Sequence, residues 1–262
     1  MTTILNGDCL KIMKSLESKS IDCFICDLPY GQLTRQYTEK ELEDYTSRYK
    51  GIYRMGTCKW DIKIDIKEFW IQVKRLCKDD HTPVLMFCNT KFGIDLINSN
   101  PDWFRYDLVW NKEVGVNFVS ANKMPMKSHE MIYVFSKKGA YYKRINVMTD
   151  KGGYNRGNSG TYIHNQTGST IIRNTPAVAD GLRCPLSVIN IPKNSKRGGH
   201  PTEKPEALYE WLLSRYCPEG GKILDPTAGS FNSIKVAKRL GLKAIGIEKD
   251  RDFFNKAISY FH

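Results

Sequence analysis

The sequence has no long hydrophobic run, and no stretch of its 262 residues approaches the length of a membrane-spanning helix. The apolar segment of a secretory signal peptide is also missing, so we expect a cytoplasmic protein without a membrane partner. Acidic residues are scarce: 28 Asp and Glu stand against 40 Lys and Arg, which gives a formal net charge of +12. This excess favours a polyanionic partner, because bound Lys and Arg release counterions from phosphates. Charge alone does not separate DNA from RNA or from an anionic membrane.

Paired metal ligands are missing as well. Among the eight cysteines, only Cys23 and Cys26 have a spacing known from zinc sites, and no second pair lies nearby. They are three positions apart in a predicted strand, so their side chains should face opposite sides of a sheet. We therefore expect no metal ion, and we interpret the cysteines as reduced, buried, small apolar residues.

What the chain does contain is an alternation of short apolar runs with amphipathic segments, which is typical of an α/β protein. The first thirty residues form one β-α-β unit, with a strand at 4–9, a helix at 10–16 and a strand at 21–26. We predict a doubly wound, mostly parallel sheet with helices on both faces, as in Rossmann-like folds. Further strands are predicted at 83–88, 106–110, 131–135, 222–224 and 243–247, and further helices at 67–76, 206–216 and from 230 to about 240.

Two segments depart from this rhythm. Residues 31–60 are polar and aromatic and follow an acidic strand end, which favours a binding loop over a mobile surface loop. Residues 140–199 are rich in Gly, Asn, Thr and basic residues, with Tyr and Ile interleaved, which argues against a fully disordered linker. We predict a discontinuous catalytic and cofactor-binding domain, residues 1–139 and 200–262. The irregular insertion 140–199 is the expected target-recognition region.

The tetrapeptide Asp27-Leu28-Pro29-Tyr30 follows a strand whose composition indicates burial. In open parallel sheets, ligands bind at the carboxyl ends of strands. Pro29 keeps Leu28 extended, which would aim the Leu28 carbonyl in one direction. The Asp27 carboxylate and this carbonyl make a pair of acceptors suited to an exocyclic amino group, and Tyr30 offers a flat face to a base. The alternative interpretation is an ordinary strand end with a turn proline.

Residues 225–248 have the pattern of a mononucleotide-binding half: a strand, a Gly-containing turn, a helix, a second strand and a terminal acid. Gly229 lets the backbone approach a ligand, and Glu248 can accept hydrogen bonds from ribose hydroxyls. The Gly signal alone is weak, because the sequence lacks the further glycine of dinucleotide sites. An ordinary β-α-β unit is the alternative.

In the segment His200-Pro201-Thr202-Glu203-Lys204-Pro205, two prolines bracket a Thr and a Lys just before a predicted helix. One interpretation is a helix start, with Thr202 as a cap and Pro205 in the first turn. The second interpretation adds cofactor contacts, for example from Lys204 to a carboxylate.

In combination, these motifs resemble those of the amino-group DNA methyltransferases that use S-adenosylmethionine, in the group whose catalytic motif precedes its cofactor motif. The resemblance covers nearly the whole chain and extends to phage-type members. The segments that carry it are Asn6–Cys9, Asp27–Tyr30, Lys59–Asp61, Asn117-Phe118, Pro125, His129-Glu130, His200–Pro205, Asp225–Ser230 and Gly246–Glu248.

The resemblance implies an α/β methyltransferase that takes S-adenosylmethionine as methyl donor, needs no metal and acts on double-stranded DNA. The target is implied to be the N6 amino group of a flipped adenine, with Asp27, Leu28, Pro29 and Tyr30 as catalytic residues. A homodimer is left open. The residues implied to bind the cofactor are Asp8, Cys9, Asp27, His200, Thr202, Lys204, Asp225, Pro226, Thr227, Ala228, Gly229, Ser230, Glu248 and Lys249.

Two residues depart from the family pattern. Leu28 replaces the first proline of the catalytic motif, which is tolerable if only its carbonyl is used. Phe231 stands where the family usually has glycine, and a large side chain there could crowd the methionine part of the cofactor or shift the loop. This departure favours a non-catalytic DNA-binding protein on a methyltransferase scaffold. N4-cytosine methylation also stays open, although members of that type usually carry Ser at the position of Asp27, and so does transfer to RNA or protein.

Overall fold

A computed structural model describes residues 1–30, 63–116, 118–148, 161–163, 170–172, 182–193 and 203–261 of the chain. Several predicted features lie outside these residues. They are the loop 31–60 with Lys59–Asp61, Asn117, His200, Thr202 and most of the predicted insertion.

The described part of the chain contains twelve strands and six α-helices. The strands are β1 (Thr2–Asn6), β2 (Cys23–Cys26), β3 (Val84–Cys88), β4 (Phe104–Val116), β5 (Lys127–Phe135), β6 (Val147–Met148), β7 (Thr161–Ile163), β8 (Thr170–Ile172), β9 (Leu182–Arg183), β10 (Val188–Asn190), β11 (Lys222–Asp225) and β12 (Lys243–Glu248). The helices are α1 (Cys9–Ser15), α2 (Ile66–Leu76), α3 (Thr90–Ser99), α4 (Glu206–Tyr216), α5 (Asn232–Arg239) and α6 (Arg251–Phe261). None of these helices is long and apolar enough to span a membrane.

Eight strands form one sheet in the order β1-β12-β11-β2-β3-β5-β4-β10. Only β5 runs antiparallel to its neighbours in this sheet. The predicted mostly parallel, doubly wound α/β fold is confirmed. The carboxyl ends of β1, β12, β11 and β2 therefore lie side by side, which brings Asp8, Glu248, Asp225 and Asp27 to one edge.

Alternation along the central strands sends side chains to both faces of the sheet. Cys23 and Ile25 join the apolar cluster under α4, α5 and α6, whereas Phe24 and Cys26 join the cluster under α1, α2 and α3. Cys23 and Cys26 thus face opposite sides, as their spacing predicts, and both are fully buried.

Local caps fix where the helices on one face begin. The Asp8 carboxylate accepts hydrogen bonds from Leu10 N at 3.1 Å and Lys11 N at 3.3 Å, and Asn89 accepts one from Phe92 N at 2.9 Å. Asn89 directly follows β3 and Asp8 comes two residues after the end of β1, so each cap also marks a carboxyl end of the sheet.

The two strands predicted at 106–110 and 131–135 extend in the structure into the polar segment between them. β4 and β5 continue past the body of the sheet as an antiparallel hairpin, with Val116 paired to Lys127. A two-stranded projection satisfies its backbone without burying side chains, so it lacks the apolar pattern of a core strand. Its exposed apolar residues are Val114, Phe118, Met124 and Met126.

The chain divides into two compact units, residues 1–143 with 187–262 and residues 144–186. The second unit is shorter than the predicted insertion 140–199, because β10 pairs in parallel with β4 and so belongs to the large sheet. Within the second unit, β6 pairs with β9 and β7 with β8, both antiparallel.

Candidate functional site

The tetrapeptide Asp27–Tyr30, which follows β2, leaves the sheet beside the Gly229-containing loop after β11. We call this loop, residues 226–230, the glycine loop. Thr227 Oγ1 donates a hydrogen bond to the Asp27 backbone carbonyl at 3.0 Å. This bond joins the loops after β2 and β11, which are neighbouring parallel strands. The Leu28 side chain is only 2% exposed and packs in the core. The apolar Leu28 side chain therefore anchors the loop, which is a structural reason for leucine where the family motif has proline.

Tyr30, which follows Asp27 by three residues in the sequence, also contacts its side chain. Its hydroxyl donates to Asp27 Oδ1 at 2.9 Å, and its ring lies 4.9 Å from that of Phe92 with a tilt of 31°. Burial and the neighbouring Asp27 charge raise the pKa of the Tyr30 hydroxyl well above its usual range, so it stays a proton donor. The sequence suggested a stacking face, and the hydrogen bond to Asp27 adds an orienting role.

Lys204 holds the second oxygen of Asp27. Its ammonium group is hydrogen-bonded to Asp27 Oδ2 and lies 3.6 Å from Glu130 Oε2 and 4.7 Å from the Phe87 ring centroid. The Lys204 side chain is 3% exposed. Burial acts to lower the Lys204 pKa, but Asp27 and Glu130 outweigh it and raise this pKa above its usual value. Lys204 therefore remains charged and compensates two carboxylates.

Glu130 is held from its opposite side by a second buried lysine. Lys112 Nζ donates to Glu130 Oε1 at 2.5 Å, and its side chain is 7% exposed. Burial acts to raise the Glu130 pKa, but Lys204 and Lys112 together lower it below its usual value. Glu130 Oε2 is buried and has no hydrogen-bond partner among the described residues. Asp27, Lys204, Glu130 and Lys112 form a cluster of two buried lysines and two partly buried carboxyl groups, which we call the lysine cluster.

Sequence patterns alone revealed little of this cluster. They assigned Lys204 to the cofactor and gave neither Glu130 nor Lys112 a role beyond motif resemblance. A signal was available, because Glu130 directly precedes the apolar run 131–135 and Lys112 comes two residues after the apolar run 108–110. Charged residues at such positions are rarely buried unless paired.

The glycine loop after β11 is held by its own acids. Asp225 is 3% exposed and accepts hydrogen bonds from Thr227 N at 3.1 Å and Ser233 Oγ at 2.5 Å. Burial raises the pKa of Asp225 to about 7, against the lowering effect of these two bonds. Glu248 Oε2 accepts from Gly229 N at 2.8 Å, and Glu248 Oε1 accepts from Asp250 N at 2.7 Å. Burial also raises the Glu248 pKa.

Further residues predicted to bind a cofactor surround this loop at the same edge. Lys249 Nζ lies 3.6 Å from Asp8 Oδ2, and the Asn6 side chain donates to Glu248 O at 2.9 Å. The Cys9 thiol is buried, and burial raises its pKa to about 12, so it is a neutral thiol. Ala228 N donates to Ile247 O at 2.8 Å, which fixes the loop to β12.

The expectation that Phe231 crowds the loop is wrong for its side chain. Phe231 is fully buried, and its ring lies 6.2 Å from those of Phe254 and Phe261 of α6. The backbone of Phe231 is left-handed, with φ 58°, and this conformation directs the ring into the core. A Cβ atom added at Gly246 would lie 2.9 Å from this ring, so the glycine of β12 provides the space.

Comparisons with known proteins give the family of the chain. The model of the DNA methylase family matches residues 21–259. The type II methyltransferase M.HinfI of Haemophilus influenzae is 26% identical over 98% of this chain and 67% of its own length. The DNA adenine methyltransferase YhdJ of Escherichia coli K12 is 25% identical over 98% of this chain and 81% of its own length.

Solved structures of low sequence identity share the fold. The cytosine-N4-specific PvuII DNA methyltransferase aligns with a TM-score of 0.65 at 14% identity, covering 100% of this chain and 86% of that one. The M1.HpyAVI complex with S-adenosylmethionine aligns with a TM-score of 0.59 at 19% identity, covering 99% of this chain and 100% of that one. With a family match over most of its length, the chain belongs to the DNA methylase family.

Proposed function

We propose that the protein uses S-adenosylmethionine to methylate the N6 amino group of an adenine in double-stranded DNA. The observation that carries the proposal is the position of Asp27 at the carboxyl end of β2, bonded through its carbonyl to Thr227 of the glycine loop. The acceptor for a substrate amino group and the loop for a methyl donor are thereby neighbours. Family membership and the activity named for YhdJ support the same assignment.

The glycine loop and the end of β12 fit S-adenosylmethionine. Gly229 has φ +52°. Apart from its two chain neighbours, no described residue has an atom within 4 Å of the position where its side chain would begin, so a ligand can approach the backbone. Each oxygen of Glu248 accepts one backbone hydrogen bond and keeps a lone pair for a ribose hydroxyl. When bound, S-adenosylmethionine supplies a methyl group on a positively charged sulfur. The M1.HpyAVI complex supports the choice of S-adenosylmethionine. We also propose that His200 and Thr202, which lie outside the described residues, bind this cofactor.

The chain's own residues would prepare the amino group. The nitrogen lone pair of an exocyclic amine is delocalised into the ring, which makes it a poor nucleophile. Asp27 and the Leu28 carbonyl, held extended by Pro29, would accept both amino hydrogens and turn the lone pair out of conjugation. The methylated amino group carries one proton too many, and Asp27 is the carboxylate placed to accept it.

The base reaches Asp27 only after it has left the duplex, because the chemistry cannot take place inside the stack. We propose that the base packs on the face of the Tyr30 ring that Phe92 does not cover. The β4–β5 hairpin would contact the distorted duplex, since Phe118 is 79% exposed and the same hairpin carries Lys123 and Lys127. Residues 140–199 and the loop 31–60 are the proposed recognition elements.

Two substitutions at Asp27 test the proposal. Asp27→Ala should abolish methylation of duplex DNA, a loss of at least about 1000-fold, while the Kd for S-adenosylmethionine stays within a few-fold. Asp27→Asn keeps the shape and serves as the matched control for loss of charge. Methylation by Asp27→Ala at a rate near that of the unmodified protein would remove Asp27 from the proposed role.

N4-cytosine methylation is the second candidate, because the family includes it and the PvuII enzyme named above has that specificity. A non-catalytic protein loses its main support now that Phe231 lies in the core. A thermal-shift measurement with S-adenosylmethionine tests for such a protein, since a ligand that binds the folded state raises the Tm. No shift at saturating cofactor would favour a non-catalytic protein.

A further inference from the structure

Asp27 has no oxygen left without a strong donor. Tyr30 donates to Oδ1, and the Lys204 ammonium binds Oδ2. A charge-assisted bond from a buried lysine draws electron density from the carboxylate and fills the space beside it. A substrate amino hydrogen therefore has to share Asp27 with these donors, and the Lys204 ammonium competes with it for the space beside Oδ2.

The same lysine faces a second acceptor that lacks a hydrogen bond. Glu130 Oε2 lies 3.6 Å from Lys204 Nζ and has no hydrogen-bond partner in the described ranges. Closing that gap by less than about 1 Å would give a normal charge-assisted bond. A buried carboxylate oxygen without a donor is costly, so its position beside a lysine calls for an explanation.

The surroundings of Lys204 allow a short move and oppose a long one. Lys112 binds Glu130 Oε1 and so keeps Oε2 turned away from itself and towards Lys204. The Phe87 ring under the ammonium attracts it without a directional hydrogen bond. Lys204 remains charged in either position, since both acceptors are anionic, and no proton has to be transferred.

We propose that Lys204 is a positioning residue that moves its hydrogen bond from Asp27 to Glu130 when the amino group of the target base arrives. This proposal rests on the proposed methyltransferase function. Lys204 holds the Asp27 side chain in place while the site is open, and Glu130 accepts the hydrogen bond of the ammonium when Asp27 has to accept one from the substrate. Glu130 thus acts through Lys204 and does not touch the substrate.

Glu130→Gln removes the charge that receives Lys204 and keeps the shape of the side chain. We expect kcat with saturating duplex DNA to fall at least tenfold, with the Kd for S-adenosylmethionine within twofold. Glu210→Gln is the matched control, because Glu210 is half-exposed and pairs with Arg239 at 2.9 Å on the surface. Its kcat should be unchanged.

The decisive comparison adds Lys204→Met to Glu130→Gln. In the double variant no ammonium occupies Asp27, so kcat should recover at least threefold relative to Glu130→Gln alone. A purely structural role for the pair predicts the opposite, a further loss. Either a Glu130→Gln kcat within twofold of the unmodified protein, or a double variant no faster than the single one, would overturn the proposal.

Glu130→Asp covers the case in which the glutamine variant does not fold. It keeps the charge but moves the acceptor away by one methylene, so kcat should fall at least threefold with cofactor binding intact, and a fall of less than twofold contradicts the exchange. Failure of the proposed methyltransferase function would differ from failure of the exchange. In that case the unmodified protein would bind S-adenosylmethionine and methylate no DNA at all.

Discussion

The carboxyl edge of the sheet has a cofactor half around the glycine loop and a catalytic half around Asp27. The two halves hold their acidic residues in different ways. In the cofactor half, Asp225 and Glu248 are bound by backbone N–H groups and a serine hydroxyl from the same β-α-β unit. In the catalytic half, Asp27 and Glu130 are bound mainly by the side chains of buried lysines. Lys204 is 177 positions from Asp27, and Lys112 comes from the strand that pairs with the strand of Glu130. Fixed backbone donors suit a binding site whose shape must persist. Lysines with a choice of partners suit a site whose acceptor must become free during each turnover.

The cofactor half depends on packing beneath the loop more than on charge, and Phe231→Ala is the strongest way to break it. The substitution leaves a cavity among α5, α6 and β12, so we expect a loss of about 3–5 kcal/mol in the free energy of unfolding. Urea unfolding measures it. Phe118→Ala, which removes a 79% exposed ring, should change stability little. Equal effects of the two changes would contradict the buried position of Phe231.

The backbone-held acid Glu248 should matter for cofactor affinity and not for the chemical step. Glu248→Ala removes the bonds to Gly229 N and Asp250 N and the expected ribose acceptor, so the Kd for S-adenosylmethionine should rise about 10- to 100-fold. Isothermal titration measures the change. Glu248→Gln keeps an acceptor oxygen and should lose less. An unchanged Kd in Glu248→Ala would remove this residue from the cofactor site.

A smaller effect concerns pH. The Asp225 pKa is raised by burial to about 7 in the folded protein, above its usual value of 3.8. The folded state therefore binds this proton more tightly than the unfolded state, and the contribution of Asp225 to stability declines as pH rises from about 4 to 7. Asp225→Asn should remove that decline. Unfolding free energies of both proteins at pH 5, 6, 7 and 8 measure the slope, and parallel curves would contradict the raised pKa.

The difference between the halves also explains what the sequence could predict. Gly229 and Glu248 are 19 positions apart within one strand-helix-strand unit, and local rules of spacing brought them together correctly. Asp27 and Lys204 are 177 positions apart. Their contact depends on the sheet order and on where α4 begins, and the local pattern around Lys204 indicates only a helix start. The pairing of Lys204 with Asp27 could therefore not be predicted from local sequence patterns.

Phe231 shows the same limit at the level of one side chain. Its position in the family pattern predicted a bulky group beside the cofactor, because glycine is usual there. The direction of the ring is set by a left-handed backbone at φ 58° and by the space that Gly246 leaves in β12, the next strand along the chain. Neither is encoded in the loop motif itself. The β4–β5 hairpin was missed for a related reason, since exposed paired strands need no apolar alternation.

The most direct test of the central claim is nucleoside mass spectrometry of unmethylated duplex DNA after incubation with the protein and S-adenosylmethionine. We expect N6-methyladenine with the unmodified protein and none with Asp27→Ala, at matched cofactor occupancy. N4-methylcytosine as the product would contradict the adenine assignment. No methylated nucleoside from a protein saturated with cofactor, tested on DNA of diverse sequence, would contradict the claim that Asp27 serves a methyl-transfer site.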